Sequence, residues 1–185
     1  TISTLRLRSY DVERRFASCV RASLPSSERT EMSDVWHHRY ISLAREISSW
    51  SKDPSRKIGA VAIGKKGQVL SQGYNGFPRN ILDSRYRYDD REIKYKYVVH
   101  AEMNCIYNAT YNGVSLDQAS LYVWGLPVCS ECAKGIIQVG IKDVFWSTDK
   151  EIPQVWKDSM NFTTTMFQEA GVNFTRLTNI YGIGD

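Results

Sequence analysis

Two short stretches constrain the fold of this chain more than any composition figure: HAEMNC at His100 to Cys105 and PVCSEC at Pro127 to Cys132. Each sits where a loop gives way to helical spacing, Met103, Ile106, Tyr107 and Thr110 after the first, Cys132, Ala133, Ile136 and Ile137 in the second. Cys129 and Cys132 stand at i and i+3, so both sulfurs lie on one face of a first helical turn. His100 and Glu102 alone are unremarkable, since a core histidine and a solvated first-turn carboxylate account for them. Taken with the cysteines, they call for a fold that brings two distant helix starts together.

The rest of the chain supplies the framework. From Ser33, with Ser33 or Asp34 as N-cap, the residues Trp36, Tyr40, Leu43, Ala44, Ile47 and Trp50 predict an amphipathic helix ended by Asp53-Pro54. IGAVAI (Ile58 to Ile63) and QVLSQGY (Gln68 to Tyr74) read as a hairpin across Lys65-Lys66-Gly67, its first strand buried on both faces. An irregular polar stretch runs from Gly76 to about Tyr97, and the His100 helix stops at Asn112-Gly113. SLYVW (Ser120 to Trp124) and DVFW (Asp143 to Trp146) read as strands on either side of the Cys129 helix. Pro153 opens a last helix that Gly171 closes before a strand at Val172 to Leu177. The order αββαβαβαβ implies a partly parallel central sheet with helices on both faces.

A chain of 185 residues suits one domain, here 33–185, with 1–32 as an N-terminal extension, either a poorly ordered tail or a segment upstream of a start at Met32. Hydrophobic residues make up 42%, and no apolar run approaches the roughly 20 residues of a membrane span. A net charge of +4 is too small for a dedicated nucleic-acid surface. With no signal peptide, Cys19, Cys105, Cys129 and Cys132 read as thiols of a reducing, cytoplasmic compartment.

One imidazole and two thiolates, His100, Cys129 and Cys132, form a zinc set that leaves the fourth tetrahedral position to water, the pattern of a catalytic ion. Cys105 lies too far round the same helix to complete a closed site and reads as core. Glu102 then acquires a role as proton shuttle: it takes a proton from the zinc-activated water and delivers protons to a ring nitrogen and a departing amine. H-x-E with P-C-x-x-C is the known signature of zinc nucleobase deaminases.

Further motifs narrow this. SKDPS (Ser51 to Ser55) followed by IGAV, GYNGFP (Gly73 to Pro78), KYKYVVHAEMN (Lys94 to Asn104), CAKGIIQVGIKDV (Cys132 to Val144) and EAGVNF (Glu169 to Phe174) make the chain, from about Trp36 to Leu177, resemble the deoxycytidylate (dCMP) deaminases of the cytidine deaminase superfamily. The resemblance implies a three-layer α/β/α sandwich around a mixed five-stranded sheet, and hydrolysis of dCMP to dUMP and ammonia. It also implies one Zn²⁺ on His100, Cys129 and Cys132, Glu102 as shuttle, and substrate contacts from Asn75 and the Ala101 backbone N–H. A homo-oligomer, a hexamer or dimer, is expected, with dCTP and dTTP as effectors and Mg²⁺ accompanying a triphosphate. One departure stands out: the family's proline directly precedes the first cysteine, whereas Val128 intervenes here, beside the place of the exocyclic amine.

Lys52, Arg56 and Lys57 are candidates for a 5′-phosphate contact. Ser84 to Tyr97, rich in tyrosines and mixed charge, reads as a loop near the nucleotide that serves phosphate recognition or subunit contact, with no second zinc site. His37 and His38 are expected to be solvated or capping residues, and Trp156, Met160 and Phe167 packing residues. The rival readings are a deaminase of another cytosine nucleotide or nucleoside (dCTP, CMP, deoxycytidine), a non-catalytic zinc module that binds nucleotide, and a polynucleotide editor.

Overall fold

The structure is a computed structural model that describes residues 26–178, with side chains from residue 34. The chain divides into two compact units, 1–36 and 37–185. Of the expected N-terminal extension, residues 1–25, including Cys19, lie outside the described residues.

Helix α1 spans Ser26–Ser49 and runs straight through Ser33 and Asp34, so neither is the N-cap the hydrophobic period suggested. The period locates only the face that is buried. The start is set upstream, where Pro25 precedes two serines and the acids Glu28 and Glu31, a composition suited to a helix N-terminus.

The strands are β1 (Gly59–Ile63), β2 (Val69–Tyr74), β3 (Ser120–Trp124), β4 (Asp143–Ser147) and β5 (Asn173–Arg176), in the sheet order β2-β1-β3-β4-β5. β1 pairs antiparallel with both β2 and β3, while β3, β4 and β5 run parallel, which makes the sheet mixed. All five residues of β1 are buried, as a strand covered on both faces requires. On one face, Ile41, Ala44 and Ile47 of α1 pack on Val61, Ile63, Tyr122 and Trp124. The other face carries α4 (Ala101–Tyr111), α5 (Ser130–Gln138) and α6 (Trp156–Ala170), with Ile106, Ile136 and Phe167 packed over Ala60, Leu121 and Val144. Two glycines permit the closest approaches: a Cβ on Gly59 would strike the α1 backbone at Ala44 and Ser48, and one on Gly73 the α4 backbone at Ala101 and Cys105.

The expected irregular stretch holds two short helices, α2 (Arg85–Asp89) and α3 (Arg91–Tyr97). At five and seven residues they are too short to show a hydrophobic period. Tertiary contacts support them: Tyr88 is buried and stacks on Phe77 with centroids 4.2 Å apart, and Asp90 caps α3 by accepting from the Ile93 N–H at 3.0 Å.

His37 is not a solvated residue either. It is half-buried, with Nδ1 2.8 Å from the Tyr122 hydroxyl and its ring 4.3 Å from that of Phe145, and His38 Nδ1 is also withdrawn from solvent. α6 begins at Trp156, after a turn closed by the Trp156 N–H on the Pro153 carbonyl, and ends at Gly171 with φ 66°. Among the described residues no helix is long and apolar enough to cross a membrane.

Candidate active site

The two ligand motifs meet because both are helix starts at one end of the sheet. His100 is the N-cap residue of α4 and Cys129 that of α5, each with extended backbone (ψ 155° and 163°). A bridge between Gly76 and Val99 ties the chain just before His100 to the chain just after β2. The sulfurs of Cys129 and Cys132 each lie 3.4 Å from His100 Nδ1. The three ligand atoms fall within 4.8 Å of one another, the one such group of His, Cys, Asp and Glu among the described residues.

This set fits zinc. Zn–S and Zn–N bonds of about 2.3 and 2.0 Å at tetrahedral angles place a sulfur and a nitrogen about 3.5 Å apart. Two thiols and one imidazole also suit a borderline-soft ion better than calcium or magnesium, which take oxygen donors. Cys105, by contrast, is fully buried, and burial pushes its thiol up to about 12, as for a core residue.

Within the corner the three ligand groups differ in how firmly they hold a proton. Hydrogen bonding from Cys132 and then His100 outweighs burial and pulls the Cys129 thiol down to about 4. The bond to Cys129 raises His100 to about 9 against the effect of burial, with the charges of Glu102 and Cys129 adding to it. The Cys132 thiol is driven well up by its bond to Cys129 and by burial. Glu102 is buried at 4% exposure, and desolvation pushes its carboxyl up despite the nearby imidazole. A carboxyl so raised holds a proton more firmly than an ordinary glutamate.

Of these groups His100 and Glu102 line a cavity of about 310 Å³, within the usual range for small-molecule sites. His100, Ala101 and Glu102 line its base, Asn75 and Arg56 one wall, and Arg91, Lys94, Tyr95 and Trp156 the rim. Asn75 organises that wall: its Oδ1 accepts from the Ile58 N–H at 2.8 Å, and its Nδ2 donates to Asp53 Oδ2 at 3.2 Å and to the Arg56 carbonyl at 2.9 Å. Asp53, 2% exposed, is ion-paired with Lys94 at 2.6 Å. Burial pushes the Asp53 carboxyl up, but Lys94 and the Ser55 N–H and hydroxyl together hold it below the usual carboxylate value.

Of the phosphate candidates, only Arg56 reaches the cavity, and its Nη1 is buried with no hydrogen-bond partner among the described residues. Lys52 pairs instead with Asp83 at 2.7 Å in an exposed position, and Lys57 Nζ donates to the Ser49 carbonyl. Arg56 and Lys57 do share a second hollow beside Trp124 and Gly125, but of the three only Arg56 lines the cavity that holds His100 and Glu102. The sequence reading missed Asp53, Arg91, Lys94 and Tyr95 as individual wall and rim residues, although the DP of SKDPS and the basic, Tyr-rich run were visible signals. Trp156 both packs on the core, as expected, and lines the cavity. Val128 is fully buried, and its carbonyl accepts from Thr163 Oγ1 at 3.0 Å, while Leu126 lines the cavity from this loop.

The profile of the cytidine and deoxycytidylate deaminase zinc-binding region matches residues 34–148. A protein of Aliivibrio fischeri named "Uncharacterized deaminase in luxG 3'region" is 38% identical over 147 residues, covering 79% of this chain and 96% of that protein. The deoxycytidylate deaminase of Mus musculus is 36% identical over 153 residues, covering 79% of this chain and 82% of that one. In structure, the dCMP deaminase of cyanophage S-TIM5 superimposes with a TM-score of 0.60 at 22% identity, covering 76% of this chain and 96% of that chain, a likeness of fold. The matched segment contains the His/Cys/Cys corner and Glu102 together, and the chain belongs to the cytidine and deoxycytidylate deaminase family of zinc-dependent deaminases.

Proposed function

We propose that the chain deaminates dCMP to dUMP, with residues 33–185 as the catalytic domain and 1–32 as an extension to it. The observation that carries this reading is one cavity lined both by Glu102 and by His100, a member of the His100/Cys129/Cys132 corner, and by the cationic side chains Arg56, Arg91 and Lys94. The nucleotide-level relatives named deoxycytidylate deaminase support the same substrate.

His100, Cys129 and Cys132 would hold the zinc, which would supply a water made acidic, its pKa lowered towards about 7. Glu102 takes one proton of the attacking water and passes it to N3 of the ring as oxygen bonds to C4. It then carries the proton of the new C4 hydroxyl to the amine. The C4–N bond breaks, ammonia leaves, and the carbonyl of uracil remains. The Ala101 N–H, at the first turn of α4, is available to the base, because a helix's first amides lack intrahelical partners. Asn75 Oδ1 keeps a second lone pair for a sugar hydroxyl. Arg56, with its buried unpartnered nitrogen, is the leading phosphate ligand.

Release of ammonia from dCMP, CMP, dCTP and deoxycytidine tests the substrate. The reading expects dCMP to be the best of the four, and preference for deoxycytidine would contradict it. A homo-oligomer with dCTP and dTTP as effectors, Mg²⁺ accompanying the triphosphate, completes the proposal; exposed Tyr111 and Phe162 offer surface for subunit contact. Light scattering and activity measured with each effector test those parts. Cys105, Cys129 and Cys132 are free thiols, in keeping with a cytoplasmic location.

A further inference from the structure

Three hydroxyl side chains from one stretch of chain converge on the loop that delivers Cys129. Thr148, just after β4, donates to the Gly125 carbonyl at 2.9 Å, and Thr163, midway along α6, donates to the Val128 carbonyl at 3.0 Å. Ser159, one turn before Thr163, accepts from the Ser130 N–H at 2.9 Å and donates to Ser130 Oγ at 3.3 Å.

The behaviour of Thr163 sets it apart from its neighbours. Thr164 and Thr165 return their hydroxyls to the carbonyls of Met160 and Asn161, four residues back on the same helix, as helical threonines commonly do. Thr163 reaches out of its helix instead. Both it and Val128 are 0% exposed, so no solvent replaces the bond if it is lost.

The two bonds from α6 fall on either side of a single residue. Thr163 holds the peptide plane between Val128 and Cys129 by its carbonyl, and Ser159 holds the plane between Cys129 and Ser130 by its N–H. Fixing both planes fixes φ and ψ of Cys129, observed at −81° and 163°, and with them the direction of its Cα–Cβ bond. The Cys129 sulfur is thereby aimed at His100, 3.4 Å away. Trp156, Ser159 and Thr163 share one face of α6 at i, i+3 and i+7, so the helix that walls the cavity also holds the ligand loop.

We propose that Thr163 and Ser159 are positioning residues that clamp Cys129 in its ligand geometry. The inference rests on the reading of His100, Cys129 and Cys132 as the zinc site, and it adds the support that keeps one of those ligands in place. Partners of this kind typically govern metal affinity by about 10–100-fold.

The test is zinc affinity of the full chain, measured by competition with a chromophoric chelator, alongside thermal melting. Thr163→Val removes the hydroxyl at nearly constant volume and is expected to weaken zinc binding by about 10–100-fold. Thr163→Ser keeps the donor and is expected to restore affinity close to the parental value. A folded Thr163→Val chain that melts earlier yet holds zinc as tightly as the parent would overturn the clamp. Should Thr163→Val fail to fold, Ser159→Ala decides: weaker zinc supports the clamp and parental affinity overturns it. A parental chain with no zinc affinity would overturn the underlying site reading, whereas parental binding that these variants leave untouched would overturn the clamp alone.

Discussion

The base of the cavity and its rim are built by different means. The base takes His100 and Cys129 from the N-caps of α4 and α5 and Cys132 from the first turn of α5, so its geometry is set by rigid helices meeting at one end of the sheet. The rim, with the wall beside it, is gathered from the turn after α1, from the end of β2, from α3 and from the start of α6. It is held by long-range polar contacts, above all Lys94 on Asp53 across 41 residues of sequence. Reaction chemistry tolerates little movement of reacting groups, which suits the base; the rim is where the proposed function places recognition of the phosphate.

Breaking the base should have the largest effect. Cys129→Ala is expected to abolish both zinc retention and deamination, read by metal analysis and ammonia release; retention of one zinc per chain would show that another residue completes the site. At the rim, Lys94→Met leaves the buried Asp53 carboxylate without its cation and is expected to cost about 3 kcal/mol of stability, checked by denaturant unfolding. Because the Asp53 carboxyl is held below its usual value, its contribution is present above that value and lost as pH falls through the lower, folded one. The parental chain should therefore lose part of its advantage over Lys94→Met in acid.

The base has a pH signature of its own. Zinc must displace two protons, one from His100, raised to about 9, and one from the Cys132 thiol, which is driven well up, so affinity should climb by about a hundredfold per pH unit from neutrality towards 9. A slope of only about tenfold per pH unit above the ordinary histidine value of 6.5 would contradict the raised His100 described. The smallest effect is expected at Arg56: Arg56→Met should raise KM for dCMP by about tenfold through loss of a charged phosphate contact, with zinc content unchanged. Lys52→Ala, which removes an exposed ion pair with Asp83, serves as its control and should leave KM alone.

The same contrast explains what could be read from the sequence. The base was legible because local rules suffice: cysteines at i and i+3, a histidine and glutamate at a helix start, and a vacancy in the ligand set. The strands and main helices were legible for similar reasons, since β1 is a continuous apolar run and Asn112-Gly113 and Gly171 mark helix ends. The rim was not, because α2 and α3 are too short to carry a period and depend on Phe77 against Tyr88 and on the Asp90 cap. Nearness in sequence likewise did not tell that Arg56 lines this cavity and Lys52 and Lys57 do not. His37 looked polar and solvated until β3 and β4 placed Tyr122 and Phe145 beneath it. Val128 was visible as an extra residue, but its partner Thr163 lies 35 residues away on another element.

The central claim is that the base performs the chemistry and that Glu102 moves the protons. Its most direct test compares the parental chain with Glu102→Gln, both loaded to one zinc per chain, by following conversion of dCMP to dUMP in the ultraviolet. The account predicts that the parent converts dCMP, while the glutamine variant keeps its zinc and loses about 10²–10⁴-fold in kcat. A zinc-loaded Glu102→Gln chain that deaminates dCMP at the parental rate would contradict it.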